Sequence, residues 1–336
     1  IMKIIVPMAG MGKRMRPHTL TTPKPLFSIA GKPIVQRLVE DIAGVVEGEI
    51  EEIAFIIGRF GKEVEEQLVT VAASLGAKGS IYFQDEALGT AHAIMCAKES
   101  ISGPVIVAFA DTLFKADFTL DATKDGIIWV HQIDDPRQFG VVQLDENNVI
   151  NDFVEKPQEF VSDLAIIGIY YFKDGDNLKV ELQYLLDNKI MDKGEYQITD
   201  ALQNMTKKGK QFVPGEVVKW LDCGNKNATV DTNQKYLEVM KNRGDEMIAP
   251  DLKLNNAQII EPCFIGENVV IENSIIGPHA SIDSNTKIIN SVINNTIVHT
   301  NAEIDTVISS GSIIGNFTKV KGTAQNLSVS DYSTME

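Results

Sequence analysis

Arg14, Arg16 and Lys24 follow a glycine-bearing turn near the start of the chain, in Pro7-Met-Ala9-Gly10-Met-Gly12-Lys-Arg14-Met-Arg-Pro17 and then Thr22-Pro-Lys24-Pro25. The turn comes directly after an apolar run, Lys3 to Met8, that reads as a buried strand. Glycine has no Cβ, so such a turn lets backbone N–H groups approach a ligand closely. Permanent cations beside those amides suit a polyphosphate. Two familiar phosphate loops are excluded. A Walker loop needs glycine at position 7 and Ser or Thr at position 14, where this chain has Pro7 and Arg14. The dinucleotide fingerprint needs a third glycine at position 15, which is Met15.

Further along, Asp111 closes the apolar run Val105 to Ala110, and Asp222 lies in Trp220-Leu-Asp-Cys-Gly224, after another apolar stretch. Two carboxylates at strand ends suit a hard divalent cation held jointly with phosphate oxygens, although an aspartate there is also a common turn cap. Gln84, in Gln84-Asp-Glu-Ala-Leu-Gly89-Thr90-Ala91-His-Ala, carries both a donor and an acceptor, which complements the imide edge of uracil or thymine. Gly89 and Thr90 open the next helix, where backbone N–H groups are expected to be free. Thr199 is expected to cap the helix that starts near residue 198. His18, His92 and His131 show no partner pattern and read as structural or surface residues.

The ordered pattern Gly-x-Gly-x-Arg-x-x-Pro, Pro-Lys-Pro, Gln-x-x-x-x-Gly-Thr, Glu155-Lys156-Pro157 and Trp-Leu-Asp resembles sugar nucleotidyltransferases, the nucleotide-sugar pyrophosphorylases, of the thymidylyl and uridylyl type. The resemblance covers about residues 3 to 245. It implies catalytic roles for Arg14, Lys24 and Lys156, and Mg²⁺ at Asp111 and Asp222. It implies nucleotide contacts from Ala9, Gly10, Gly12, Gln84, Gly89 and Thr90, and sugar contacts from Gly140, Glu155, Lys156 and Gly168. The substrates would be a nucleoside triphosphate and a sugar 1-phosphate, by default dTTP or UTP and glucose 1-phosphate. The nucleophile, a phosphate oxygen, is already ionised near neutral pH because its second pKa is about 6. The chemistry therefore asks for positioning and charge neutralisation rather than a protein base. Ala165-Ile-Ile-Gly168 departs from the family's Asn-Ala-Gly, which leaves the sugar open. Guanylyl transfer to mannose 1-phosphate, acyl transfer on the second domain and a sensor without catalysis are the alternatives.

These residues need elements to hold them. Residues 3 to about 110 alternate strand-like and helix-like segments, which implies an α/β fold with a mostly parallel sheet of Rossmann-like character. The loops after residues 8, 84 and 110 should then share the carboxyl edge of that sheet. From about residue 257, Ile265, Ile271, Ile276, Ile282, Ile288, Ile293, Val298, Ile304, Ile308, Ile314 and Val320 recur at spacings near six. That is the mark of a parallel β-helix, expected at about 18 residues per coil. The segment resembles the left-handed β-helix of hexapeptide proteins. Expected boundaries are a catalytic domain over 1–245, a linker over 246–256, the β-helix over 257–325 and a tail over 326–336.

A net charge of −15 argues against nucleic-acid or acidic-membrane partners, while a local basic pocket still admits a nucleotide. Three scattered cysteines suggest neither zinc site nor disulfide framework. With no leader-like pattern and no bilayer-length apolar run, a cytoplasmic homo-oligomer assembled through the β-helix is expected.

Overall fold

A computed structural model of the protein describes residues 1–10, 12–115, 120–323, 328–331 and 333–334. Parts of the expected tail, residues 326, 327, 332, 335 and 336, lie outside the described residues, as do the last β-helix positions, 324 and 325. The chain divides into two compact units. The first comprises Ile1–Phe27 and Pro33–Asn225, and the second Ser28–Lys32 and Lys226–Glu336.

In chain order the strands up to residue 222 are β1 Met2–Pro7, β2 Ser28–Ile29, β3 Lys32–Pro33, β4 Ile50–Ile57, β5 Lys78–Phe83, β6 Val105–Ala108, β7 Thr112–Lys115, β8 Gly126–Gln132, β9 Gly140–Leu144, β10 Ile150–Glu155, β11 Leu164–Phe172, β12 Phe212–Glu216 and β13 Lys219–Asp222. The helices are α1 Ile34–Val45, α2 Lys62–Ser74, α3 Thr90–Met95, α4 Gly175–Asp187, α5 Ile198–Lys207 and α6 Lys226–Arg243.

The first unit is built on a nine-stranded sheet ordered β5-β4-β1-β6-β11-β8-β12-β10-β9. Strands β5, β4, β1 and β6 pair in parallel, so Pro7, Phe83 and Ala108 end at the same edge. This is the buried, helix-covered arrangement that the Ile- and Val-rich runs imply. The other half is mixed. Strand β11 runs antiparallel to both β6 and β8, and β9 antiparallel to β10, whereas β8 and β12 are parallel. The parallel expectation therefore holds for the amino-terminal strands and for the β8–β12 pair, and the remaining neighbours are antiparallel. The reason lies in the connections: β9 and β10 are joined by a tight turn, with Asp145 N–H donating to Val149 O and Asn148 at φ 61°. A turn that short closes an antiparallel pair but cannot make the crossover that parallel neighbours require. Behind the site, Phe172 packs edge-on against Phe212 with ring centroids 6.0 Å apart, amid Val107, Ile128 and Tyr170.

In the second unit three parallel sheets stack coil on coil, consistent with the expected left-handed β-helix. The coils are shorter than expected. Leu254, Ile271 and Ile288 stack at intervals of seventeen residues, then Ile288, Ile304 and Val320 at sixteen. Coil corners are tightened by asparagines with positive φ, one series of them Asn256 at 48°, Asn273 at 48° and Asn290 at 50°. Asparagine tolerates this left-handed region better than most residues. Their side chains form a ladder: Asn256 donates to Asn273 at 2.9 Å, Asn273 to Asn290 at 3.3 Å and Asn290 to Asp305 at 3.2 Å. The shortened coil also moves one core residue. Ser309, not Ile308, stacks on Ile293, and Ile308 points outward at 88% exposure. Helix α6 groups with this unit. Its buried Asn233 Oδ1 accepts from Ala30 N–H at 3.0 Å and from Ser281 Oγ at 2.7 Å.

No helix among the described residues is long and apolar enough to cross a membrane. The inward and outward isoleucines of the β-helix should differ sharply on truncation. Ile288→Ala should cost about 2–5 kcal/mol by leaving a cavity between stacked coils. Ile308→Ala should stay within about 0.5 kcal/mol of the parent. Denaturant titration followed by circular dichroism measures both.

Candidate active site

The first loop folds as three successive 3₁₀ turns, Lys13–Met15, His18–Leu20 and Lys24–Leu26. Gly12 is their pivot, with φ +55°, and a Cβ there would lie 2.9 Å from Thr19 Cγ2 and 3.1 Å from Lys24 Cβ. Its carbonyl accepts from Met15 N–H and from the Thr19 hydroxyl, both at 2.9 Å. With Met15 buried as an anchor, the loop presents Gly10, Gly12, Arg14 and Lys24 to a cavity of about 320 Å³ that Asp111 and Gly224 also line. Lys24 is only 8% exposed, and its Nζ lies 3.4 Å from Asp111 Oδ2. A buried ammonium is tolerated only with such a partner.

The two carboxylates are brought together by a ribbon. Strands β7 and β13 pair antiparallel with Thr112 opposite Asp222, and Cys223 N–H donates to Asp111 O at 3.1 Å. The Trp220 indole N–H donates to Thr112 Oγ1, and the indole packs edge-on against Phe139 with centroids 5.0 Å apart. Asp222 Oδ1 accepts Gly224 N–H at 2.9 Å. Arg14 Nη2 closes the same corner, 3.2 Å from where a Cβ on Gly224 would stand. Burial raises the Asp222 pKa, and the neighbouring Asp111 charge adds to the rise. The Gly224 N–H, Lys24 and Arg14 oppose it.

Two oxygen-only side chains fit a magnesium ion, which is ordinarily held by one or two carboxylates plus water and substrate phosphates. Among the described residues there is no group of three or more metal-binding side chains, so the donor set does not suit a closed all-protein cage.

A second cavity, of about 260 Å³, shares Arg14, Asp111 and Phe109 with the first and reaches Asp222, Gly140, Glu155 and Gly168. Glu155 ends β10 opposite Gly140, and a Cβ on Gly140 would stand 2.9 Å from Glu155 Oε2. Burial raises the Glu155 pKa, with Lys156 acting against it. Lys156 is half-exposed, holds φ +44°, and rests its Nζ 3.6 Å from Glu155 Oε1. It is not among the residues lining either cavity, nor are Ala9, Gln84 and Gly89.

Gln84 sits at the carboxyl end of β5, its N–H donating to Ile57 O at 2.9 Å. Its Nε2 lies 3.1 Å from His92 Nδ1, so His92 is a partner of the proposed base reader rather than an isolated residue. Gly89, at φ +105°, has no room for a Cβ, which would stand 2.4 Å from Tyr196 O. In the first turn of α3 the Ala91 N–H is taken up within the protein, donating to Tyr196 O at 2.9 Å. Thr199 does not cap α5, because it lies inside the first turn. Thr90 Oγ1 accepts Ile198 N–H at 2.9 Å instead, from 108 positions earlier in the chain. Gln138, Phe139, Gln197 and Trp220 also line the second cavity, and sequence reading assigned none of them. Local signals existed for three of them: Trp220 in the Trp-Leu-Asp motif, Phe139 beside Gly140, and Gln197 in the segment 196–200, whose resemblance places it near the sugar.

Because Asp222 titrates above the ordinary aspartate value, the folded protein holds its proton more tightly than the unfolded chain does. The linked stability is present at acid pH and lost as pH rises through the folded pKa. Asp222→Asn should therefore raise the unfolding temperature at neutral pH, with the difference closing as pH falls below the aspartate range. The same variant should lose activity by about 10²-fold or more. Paired melting curves and rate measurements check both halves.

Residues 3–239 match the family model described as "Nucleotidyl transferase". The chain is 31% identical to the low-salt glycan biosynthesis nucleotidyltransferase of Haloferax volcanii, over 72% of this chain and 69% of the relative. It is 28% identical to a glucose-1-phosphate thymidylyltransferase of Streptomyces antibioticus, over 95% and 93%. A solved UDP-glucose pyrophosphorylase in complex with UDP-glucose superposes with a TM-score of 0.58 at 26% identity, over 71% of this chain and 99% of that one. With a family match over most of its length and a basic, carboxylate-flanked cavity at the carboxyl edge of its sheet, the chain belongs to the nucleotidyl transferase family and is a nucleotidyltransferase.

Proposed function

We propose that the enzyme transfers a nucleotidyl group from dTTP or UTP to a sugar 1-phosphate, with glucose 1-phosphate the first acceptor to test. The observation that carries this reading is the pair of cavities joined through Arg14 and Asp111. One is lined by a basic glycine loop, the other by the partly buried Glu155, two glycines and an aromatic wall of Phe109, Phe139 and Trp220, as a triphosphate and a sugar would respectively require.

In this reading an ionised phosphate oxygen of the sugar phosphate attacks the α-phosphorus. A new P–O bond forms there as the bond to the β-phosphate oxygen breaks, and pyrophosphate leaves with the electron pair. Arg14 and Lys24 neutralise charge on the triphosphate, and Lys156 serves the incoming phosphate. Asp111 and Asp222 would hold Mg²⁺, which when bound would supply further charge neutralisation. Gly10 and Gly12, with Ala9, offer backbone contacts, and Gln84 reads the imide edge of the base. Gly140, Glu155 and Gly168 surround the sugar. Catalysis is assigned to residues 1–245, and the β-helix over 257–325 serves self-assembly, which light scattering above the monomer mass would support.

Pyrophosphate release with each of the common triphosphates, crossed with glucose, mannose and N-acetylglucosamine 1-phosphates, tests the reading. Turnover with dTTP or UTP is expected, and turnover with purine triphosphates alone would remove the role given to Gln84. Arg14→Ala should lower kcat by about 10³-fold with a smaller change in KM, because its charge acts on the transition state.

A further inference from the structure

We propose that the Thr90 hydroxyl is a positioning group for the sugar-phosphate half of the site. A hydroxyl has one proton to donate and lone pairs to accept with. Thr90 Oγ1 donates its proton to Gln197 Oε1 at 3.1 Å and accepts Ile198 N–H at 2.9 Å. Its donor is therefore committed within the protein. The N-terminus of α5 has no side-chain cap from its own N-cap residue, Gln197, so Thr90 supplies from afar the bond that a local cap would make.

The backbone around it forms a short ladder. Tyr196 N–H donates to Leu88 O at 2.8 Å, and Ala91 N–H to Tyr196 O at 2.9 Å. The absent Cβ of Gly89 lets the two segments approach this closely. Beyond the ladder, Gln197, Ile198 and Thr199 are all under 9% exposed and form wall of the cavity that holds Gly140 and Glu155. Thr199 Cγ2 lies 3.6 Å from the Cβ position of Gly140. Thr90 thus ties the segment that follows Gln84 to the wall of the second cavity. Loss of its hydroxyl would leave Ile198 N–H without its partner and loosen that wall while sparing the glycine loop around Arg14. The kinetic part of this inference rests on the reading that the second cavity takes the sugar phosphate.

Thr90→Val keeps the shape and removes the hydroxyl. With the substrate pair that the panel identifies, KM for the sugar 1-phosphate should rise about tenfold, while KM for the triphosphate stays within about twofold. Thr90→Ser should recover most of the loss. By hydrogen exchange, the Ile198 amide should exchange about tenfold faster in Thr90→Val and not in Thr90→Ser. A rise in triphosphate KM alone, an equal rise in both, or unchanged kinetics with Ile198 still protected would each overturn the proposal. Should the parent chain turn over no pair, the functional reading fails by itself, and exchange at Ile198 decides whether the bridge exists.

Discussion

Two carboxylates forced together on a two-stranded ribbon set the electrostatic terms of this enzyme. Left alone, Asp111 and Asp222 repel each other, and burial of Asp222 makes its ionised form costlier still. Lys24 and Arg14 act against both effects, yet burial keeps the Asp222 pKa raised. Two carboxylates set beside two cations are prepared to receive a cation together with an anion. Much of the surrounding architecture holds that balance in place: Gly12 turns the basic loop inward, and the Trp220–Thr112 bond locks the ribbon.

The sheet divides the labour. Its parallel half sends Pro7, Phe83 and Ala108 to one edge, which places the glycine loop, Gln84 and Asp111 on the same rim. Its mixed half turns β9, β10 and β11 back on one another and encloses Gly140, Glu155 and Gly168. Cations and backbone amides at an open rim suit a phosphate, and an enclosing wall suits a sugar, which is the division of substrates proposed above. The β-helix obeys a different rule. Its stability is summed coil by coil, and the asparagine ladder keeps each corner in register.

Much of this was legible in local pattern. The glycine loop, the strand-end aspartates, the Glu155-Lys156 pair and the hexapeptide rhythm all announce themselves over spans of a few residues, because phosphate binding and coil stacking impose short-range spacing. Element positions followed from periodicity, and α5 starts at Ile198, where a helix start was expected.

Tertiary structure alone decided the rest. Sequence spacing could not distinguish Ile308 from Ser309 as the residue stacked on Ile293, because that is set by a coil one residue shorter than its predecessor. It pointed to Thr199 as a cap, since a hydroxyl near a helix start ordinarily caps locally, whereas the bond comes from Thr90. The chain itself determined which chemical groups exist and which strands carry them. Only folding determined which groups neutralise, cap or crowd one another, because those energies fall off within a few ångströms and take no account of separation along the chain.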